Sequence, residues 1–179
     1  MAAKKRALKD SEIGFLIEDY DYLFSDFDPR PYSDRALSDD FLDEARKGSD
    51  NKSAHNIQLK FLIPKKNRNA KDEEKIKERL KDHFNKHAEK SRKDYRRVMN
   101  HGIMFFALGT IIMFAAAYVL FKYPSQSLME NFILLMMEPA GWFLFWEGLD
   151  MIIFKSKDLK PNSVFYKKMA HAEIYFQDN

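Results

Sequence analysis

The chain has no cysteine, which excludes disulfides, thiolate metal sites and a cysteine nucleophile, and leaves the redox compartment open. It also lacks a Gly-rich phosphate loop, an activated nucleophile and a metal triad, so no enzymatic activity and no cofactor are expected. The basic start, Met1-Ala-Ala-Lys-Lys-Arg-Ala-Leu-Lys-Asp10, has no apolar run behind it and does not read as a secretory signal peptide. A formal net charge of +3 is too small to argue for a nucleic-acid partner.

The most informative absence is local. Residues 103–121 carry no charged side chain, although the mean hydropathy of the whole chain is −0.52. The average hides a polar first hundred residues and an apolar stretch after them. Ile103–Phe121, at about 1.5 Å per residue, spans roughly 28 Å, close to the ~30 Å hydrocarbon core of a bilayer. Phe132–Phe154 is apolar apart from Glu138, Glu147 and Asp150. The short stretch between them, turn-rich through Pro124 and its serines, requires two antiparallel spans. Lys and Arg crowd both outer flanks (Lys90, Arg92, Lys93, Arg96 and Arg97; Lys155, Lys157, Lys160, Lys167 and Lys168), whereas the loop holds only Lys122. Both termini are therefore expected to be cytoplasmic in a cell membrane, the inner membrane if the source is bacterial.

Small residues recur at heptad spacing in both segments: Gly102, Gly109 and Ala116 in the first, Gly141 and Gly148 in the second. Such stripes let helix backbones approach closely, within one chain or between copies. Carboxylates at bilayer depth cost about 2.5–3.5 kcal/mol each and call for an explanation. Three readings stay open for Glu138 and Glu147: an oligomeric cation or proton path, pairing with a partner's basic groups, or neutral hydrogen-bonded acids. Asp150, about one turn from the boundary, is expected to snorkel or to pair with Arg96, Arg97 or Lys155.

Before the hairpin, residues 71–100 lack Pro and Gly, begin with acids and end with bases, and place Ile76, Leu80, Phe84 and Ala88 on one face. A long basic helix is predicted there, running into the first span or breaking at Asn100-His-Gly102. His83 and His87 are i,i+4 on it and form a weak candidate metal pair without a third ligand. The alternation at Ile57, Leu59, Phe61 and Ile63 predicts a strand over 57–63 stopped by Pro64, with Ile13–Ile17 or another copy as its partner. Residues 19–44 are acidic and aromatic. They are expected to form an extended arm that lays Tyr20, Tyr22, Phe24, Phe27 and Tyr32 on a partner protein. Ser38 caps a short helix ending near Gly48. The tail is predicted to carry an amphipathic helix over 163–176.

These pieces give a mainly α membrane protein: residues 1–70 as arm and small α+β region, 71–100 as basic helix, 101–154 as transmembrane hairpin, and 155–179 as cytoplasmic tail. Asp28-Pro-Arg-Pro31 with Arg35-Ala-Leu-Ser-Asp39, His83-Phe84, Gly141-Trp142 with Trp146, and Phe165-Tyr166 together resemble a family of small, uncharacterised bacterial membrane proteins. The resemblance implies two spans and brings no known activity. This chain has Glu147-Gly148 where the family carries a basic residue and a proline. The function expected is a self-associating membrane scaffold that meets lipid, further copies and a cytoplasmic or membrane protein. The alternative is a subunit of an oligomeric channel or transporter that uses the acids.

Overall fold

The structure, a computed structural model, describes residues 11–50, 52, 57–123 and 127–179. The middle of the loop between the apolar segments, with Pro124 and Ser125, lies outside the described residues, as do residues 51 and 53–56 of a link expected over 48–56. The chain divides into two units, Met1–Lys90 with Ser163–Asn179, and Ser91–Asn162.

The first unit is built on a three-stranded parallel sheet in the order β1 (Glu12–Leu16), β2 (Gln58–Ile63), β3 (Glu173–Asp178). The predicted strand is its centre. Leu59, Phe61 and Ile63 are completely buried, and the residues between them are half-exposed, as a sheet covered on one face requires. That face packs on α1 (Asp39–Asp50), the start of α2 (Ala70–Lys122) and the end of α4 (Ser156–Ala170), through Phe41 and Ala45, Ile76, Leu80 and Phe84, and Phe165 and Met169. The open face is polar. Lys60 pairs with Glu12 at 3.6 Å and Gln58 donates to Glu173 at 3.2 Å.

Two local expectations change. Ser38 does receive the Phe41 N–H, at 3.5 Å, but α1 runs through Gly48 to Asp50. Gly48 is a contact residue rather than a stop: a Cβ there would lie 2.7 Å from Ile13 Cγ2 on β1. The tail helix ends at Ala170, and Phe176 belongs to β3. Ala172, Ile174 and Phe176 alternate, and β-branched and aromatic side chains suit the pleated sheet edge better than another helical turn. The central strand needs no second copy, because β1 and β3 satisfy both of its edges.

In the second unit α2 continues without a break past Asn100 and Gly102. The α3 helix (Leu128–Asp150) starts with a capping box in which the Glu130 N–H donates to Ser127 Oγ and the Ser127 N–H donates to Glu130 Oε2. It continues through Pro139 and passes, by one π-helical turn over Met151–Lys155, into α4. These helices are long and apolar enough to cross a membrane.

The small-residue stripes meet one another within the chain. A Cβ on Gly109 would lie 2.6 Å from the Gly141 carbonyl oxygen and 2.5 Å from the Phe145 nitrogen. One on Gly148 would lie 2.7 Å from the Gly102 carbonyl oxygen and 2.4 Å from the Phe106 nitrogen. In each of the pairs 102/148 and 109/141 the numbers sum to one constant, the signature of an antiparallel crossing, and 116/134 continues it. Those six positions are the buried ones of residues 102–121 and 128–150. Of the two readings of the stripe, the structure shows the close seam inside one chain.

Replacing Gly148 by Leu drives a side chain into backbone and forces the helices apart, a cost of about 1–3 kcal/mol or more. Thermal unfolding of the full chain in detergent is expected to show a clear fall in Tm for Gly148→Leu. Leu135→Ala, on the outer face, should change it little. Equal Tm values for parent and Gly148→Leu would refute the seam.

Candidate functional site

The polar residues of α3 and the π-helical turn after it form one cluster. Lys155 Nζ donates to Glu147 Oε1 at 2.7 Å and lies 3.2 Å from Asp150 Oδ2. The π-helical turn is what makes this geometry. In an unbroken α-helix, residues eight apart differ by about 80° around the axis; one extra residue in the turn brings that to about 20°. Lys155 is thereby carried back over Glu147 and Asp150. Of the three cations expected to serve Asp150, Lys155 is the one that does, and it serves Glu147 too. The ammonium gives both carboxylates a partner and lowers the net charge of the group from −2 to −1. Glu138 lies elsewhere, exposed on the outer surface of α3, with no ion pair among the described residues.

The aromatic arm is not extended. Tyr20, Leu23 and Phe24 are buried in the first unit's own core, and Tyr32 stacks on Phe24 with ring centroids 5.1 Å apart. Charge folds the segment: Arg30 forks onto Asp28, which also accepts the Ala36 N–H at 2.7 Å, and Arg35 reaches Asp21 at 2.6 Å. The Arg30 guanidinium holds the Asp28 carboxyl well below its usual range. Only Tyr22 and Phe27 of the five arm residues keep most of their surface, 62 % and 97 %. Tyr20, Phe24 and Tyr32 are anchors, but on the chain's own core rather than on a partner, since apolar burial is satisfied equally well at home.

A second cluster was not visible in the sequence. Tyr20 Oη donates to Glu73 Oε1 at 2.9 Å, Arg68 grips both Glu73 oxygens at 2.8 and 2.9 Å, and the same guanidinium reaches Asp178 at 2.6 Å. Arg68 lowers the Glu73 pKa despite its burial, and burial raises that of Tyr20. The network pins the end of β3 to the start of α2. Its members are 20, 68, 73 and 178, too far apart for spacing to reveal them.

His83 and His87 stack with centroids 4.2 Å apart and planes 23° from parallel, and Tyr166 of α4 stacks on His87 at 5.0 Å. A metal needs ring lone pairs converging at about 2.0–2.1 Å. Near-parallel rings direct theirs along separate planes, and among the described residues no group of three or more His, Cys, Asp or Glu could hold an ion. The pair is instead packed between helices, and His83 Nε2 is buried without a hydrogen-bond partner.

The chain matches no family model, no curated protein and no solved structure. The reading of these clusters therefore rests on their own geometry.

That geometry gives a pH dependence. Burial, and then the neighbouring charge of His87 and Arg79, pulls the His83 pKa down from 6.5 to about 4, with Asp82 opposing. His87 is also lowered, by burial first and then by Lys90, Lys86 and Arg79. Tyr166 and, beside it, Arg46 complete the surroundings. A histidine with a depressed folded pKa binds fewer protons folded than unfolded, so stability rises with pH through the window. The full chain in detergent is expected to lose stability steadily as pH falls from about 6.5 towards 4. His83→Phe should flatten the part of that slope above pH 5, where the carboxylates contribute little. An unchanged slope in His83→Phe would refute the assignment.

Proposed function

We propose that the chain is a two-span integral membrane protein, a non-enzymatic scaffold that tethers a small α/β domain to one face of a cell membrane. The observation that carries this reading is how little of the two long apolar helices is covered. Only 11 % of the most apolar stretch of α2 and 17 % of that of the continuous α3–α4 helix are buried. Core helices of soluble domains are wrapped on most sides, and exposed apolar surface of this extent needs a lipid solvent.

The sheet supports the topology independently of the charges. β2 precedes both apolar segments and β3 follows them, yet the two strands pair residue by residue from Gln58↔Glu173 to Ile63↔Asp178. Strands that pair must lie on one side of the membrane, so the chain between them crosses an even number of times. The flanking Lys and Arg residues favour the cytoplasm for that side. Tyr118 and Tyr123 at the loop end, with Lys122 Nζ 5.6 and 5.5 Å from their ring centroids, suit the opposite interface.

The ion pair of Glu147 with Lys155 favours the scaffold over the channel reading, because it engages one of the two acids that a channel would use. The glycine seam is likewise consumed within the chain. Contacts between copies, if the scaffold self-associates, fall to outer faces such as that of Trp142 and Trp146, and contacts with soluble partners to Tyr22 and Phe27.

The test uses proteoliposomes of the full chain and its natural lack of cysteine. The protein is expected to stay with the vesicles through an alkaline carbonate wash. Lys47→Cys and Lys160→Cys should react with an impermeant maleimide from one side and Lys122→Cys from the other, and the vesicles should hold a proton gradient. Extraction by carbonate, or all three cysteines on one side, would overturn the membrane reading. A leak abolished by Glu147→Gln would replace the scaffold with the channel.

A further inference from the structure

In the second unit, the end of the helix pair beyond Gly102 carries cations that form no ion pair among the described residues. Arg92, Arg96 and Arg97 on α2, and Lys157 and Lys160 on α4, are exposed and form no ion pair among the described residues. The acids in the same stretches are Asp94 and Asp158. Lys155, also exposed and close to them in sequence on the second helix, is already engaged by Glu147 and Asp150.

Their depth is set by the seam. A Cβ on Gly102 would lie 2.9 Å from Ile152 Cγ1 and from Met151 Cβ and 3.1 Å from the Gly148 carbonyl oxygen, so residue 102 faces the turn from 148 to 152, whose outer end sets the level on that side. At about 1.5 Å per residue, Arg97 lies roughly 8 Å beyond that level, Arg92 roughly 15 Å, Lys157 roughly 8 Å and Lys160 roughly 12 Å. Just inside them Ile103, Met104, Ile153 and Phe154 each leave half or more of their surface exposed. The surface thus changes from apolar to cationic over about two turns, on both helices, at the same level. A bilayer makes the matching change, from a ~30 Å hydrocarbon core to headgroup layers that bring the total to about 40–45 Å.

We propose that Arg92, Arg96, Arg97, Lys157 and Lys160 form a binding surface for the phosphates of anionic phospholipids at the cytoplasmic end of the hairpin. The inference rests on the membrane reading and adds to it a lipid preference. Charge complementarity and continuity with the exposed apolar faces select a lipid, whose acyl chains would lie on Ile103 and Phe154, over a free phosphate. Three arginines suit the task, since a guanidinium meets phosphate oxygens in pairs and sheds its water more readily than an ammonium. Clusters of four to eight basic residues at a helix exit are known to attract acidic lipid.

The test is native mass spectrometry of the full chain in detergent with an equimolar mixture of phosphatidylglycerol and phosphatidylcholine. Phosphatidylglycerol should be retained in excess, and Arg96→Gln should lower that excess by up to about fivefold. The fivefold Gln variant of the cluster should abolish the excess while keeping phosphatidylcholine and the parent Tm, and Lys122→Gln, at the other end, should not change it. Excess inorganic phosphate should leave the bound lipid in place. Equal retention of the two lipids by the parent chain, or displacement by inorganic phosphate, would overturn the proposal with the membrane reading intact. Failure to retain either lipid would count against both. If the fivefold variant unfolds, the fivefold Lys/Arg exchange decides: keeping charge, it should keep most of the excess, and a complete loss would contradict a charge-based site.

Discussion

The close approach of two backbones at Gly109–Gly141 and Gly102–Gly148 is the constraint on which the rest of this structure depends. Both crossings leave room for a hydrogen atom where any other residue would put a carbon. In lipid, apolar side chains gain nothing by leaving their surroundings, so helix pairing relies on dispersion and weak polar contacts at short range. A seam this tight fixes the antiparallel register of the two helices. The chain beyond them supplies β3, without which β2 would keep an open edge. The apolar hairpin is thus an insertion between neighbouring strands of one parallel sheet.

Polar groups are settled in two different ways. At the domain end a half-buried network of Tyr20, Arg68, Glu73 and Asp178 joins segments distant in sequence, and the bidentate guanidinium offsets the desolvation of Glu73. In the helix that returns from the loop the solution is local. A π-helical turn of Met151–Lys155 rotates one lysine onto two acids, so that three charges are handled within three turns of one helix. Its position next to the basic end of the hairpin leaves Lys155 occupied, while Arg92, Arg96, Arg97, Lys157 and Lys160 form no ion pair among the described residues.

The elements with strong periodicity were legible in the sequence. The central strand, the basic helix and its face of Ile76, Leu80 and Phe84, both apolar segments and the heptad glycines all follow from spacing, because a single repeat states which side is covered. Leu134, the seam position opposite Ala116, carried no such mark, since a leucine is ordinary anywhere on an apolar helix. The last strand was hidden because Phe165, Met169, Ala172 and Phe176 satisfy a helical spacing as well as Ala172, Ile174 and Phe176 satisfy an alternating one. The aromatic arm was misplaced for another reason. Tyr20 and Phe24 advertise burial, and sequence alone does not say whose surface buries them. The network of Arg68 was invisible, because its geometry exists only after β3 has docked.

The most direct test of the seam uses the chain's lack of cysteine. Ala116→Cys with Leu134→Cys places two thiols at the third crossing of the same register. Mild oxidation of the dilute protein in detergent is expected to close a bond within one chain, giving a faster-migrating monomer on a non-reducing gel. Disulfide-linked dimers as the main product, or no bond at all, would contradict an intramolecular seam and return the glycines to the interface between copies.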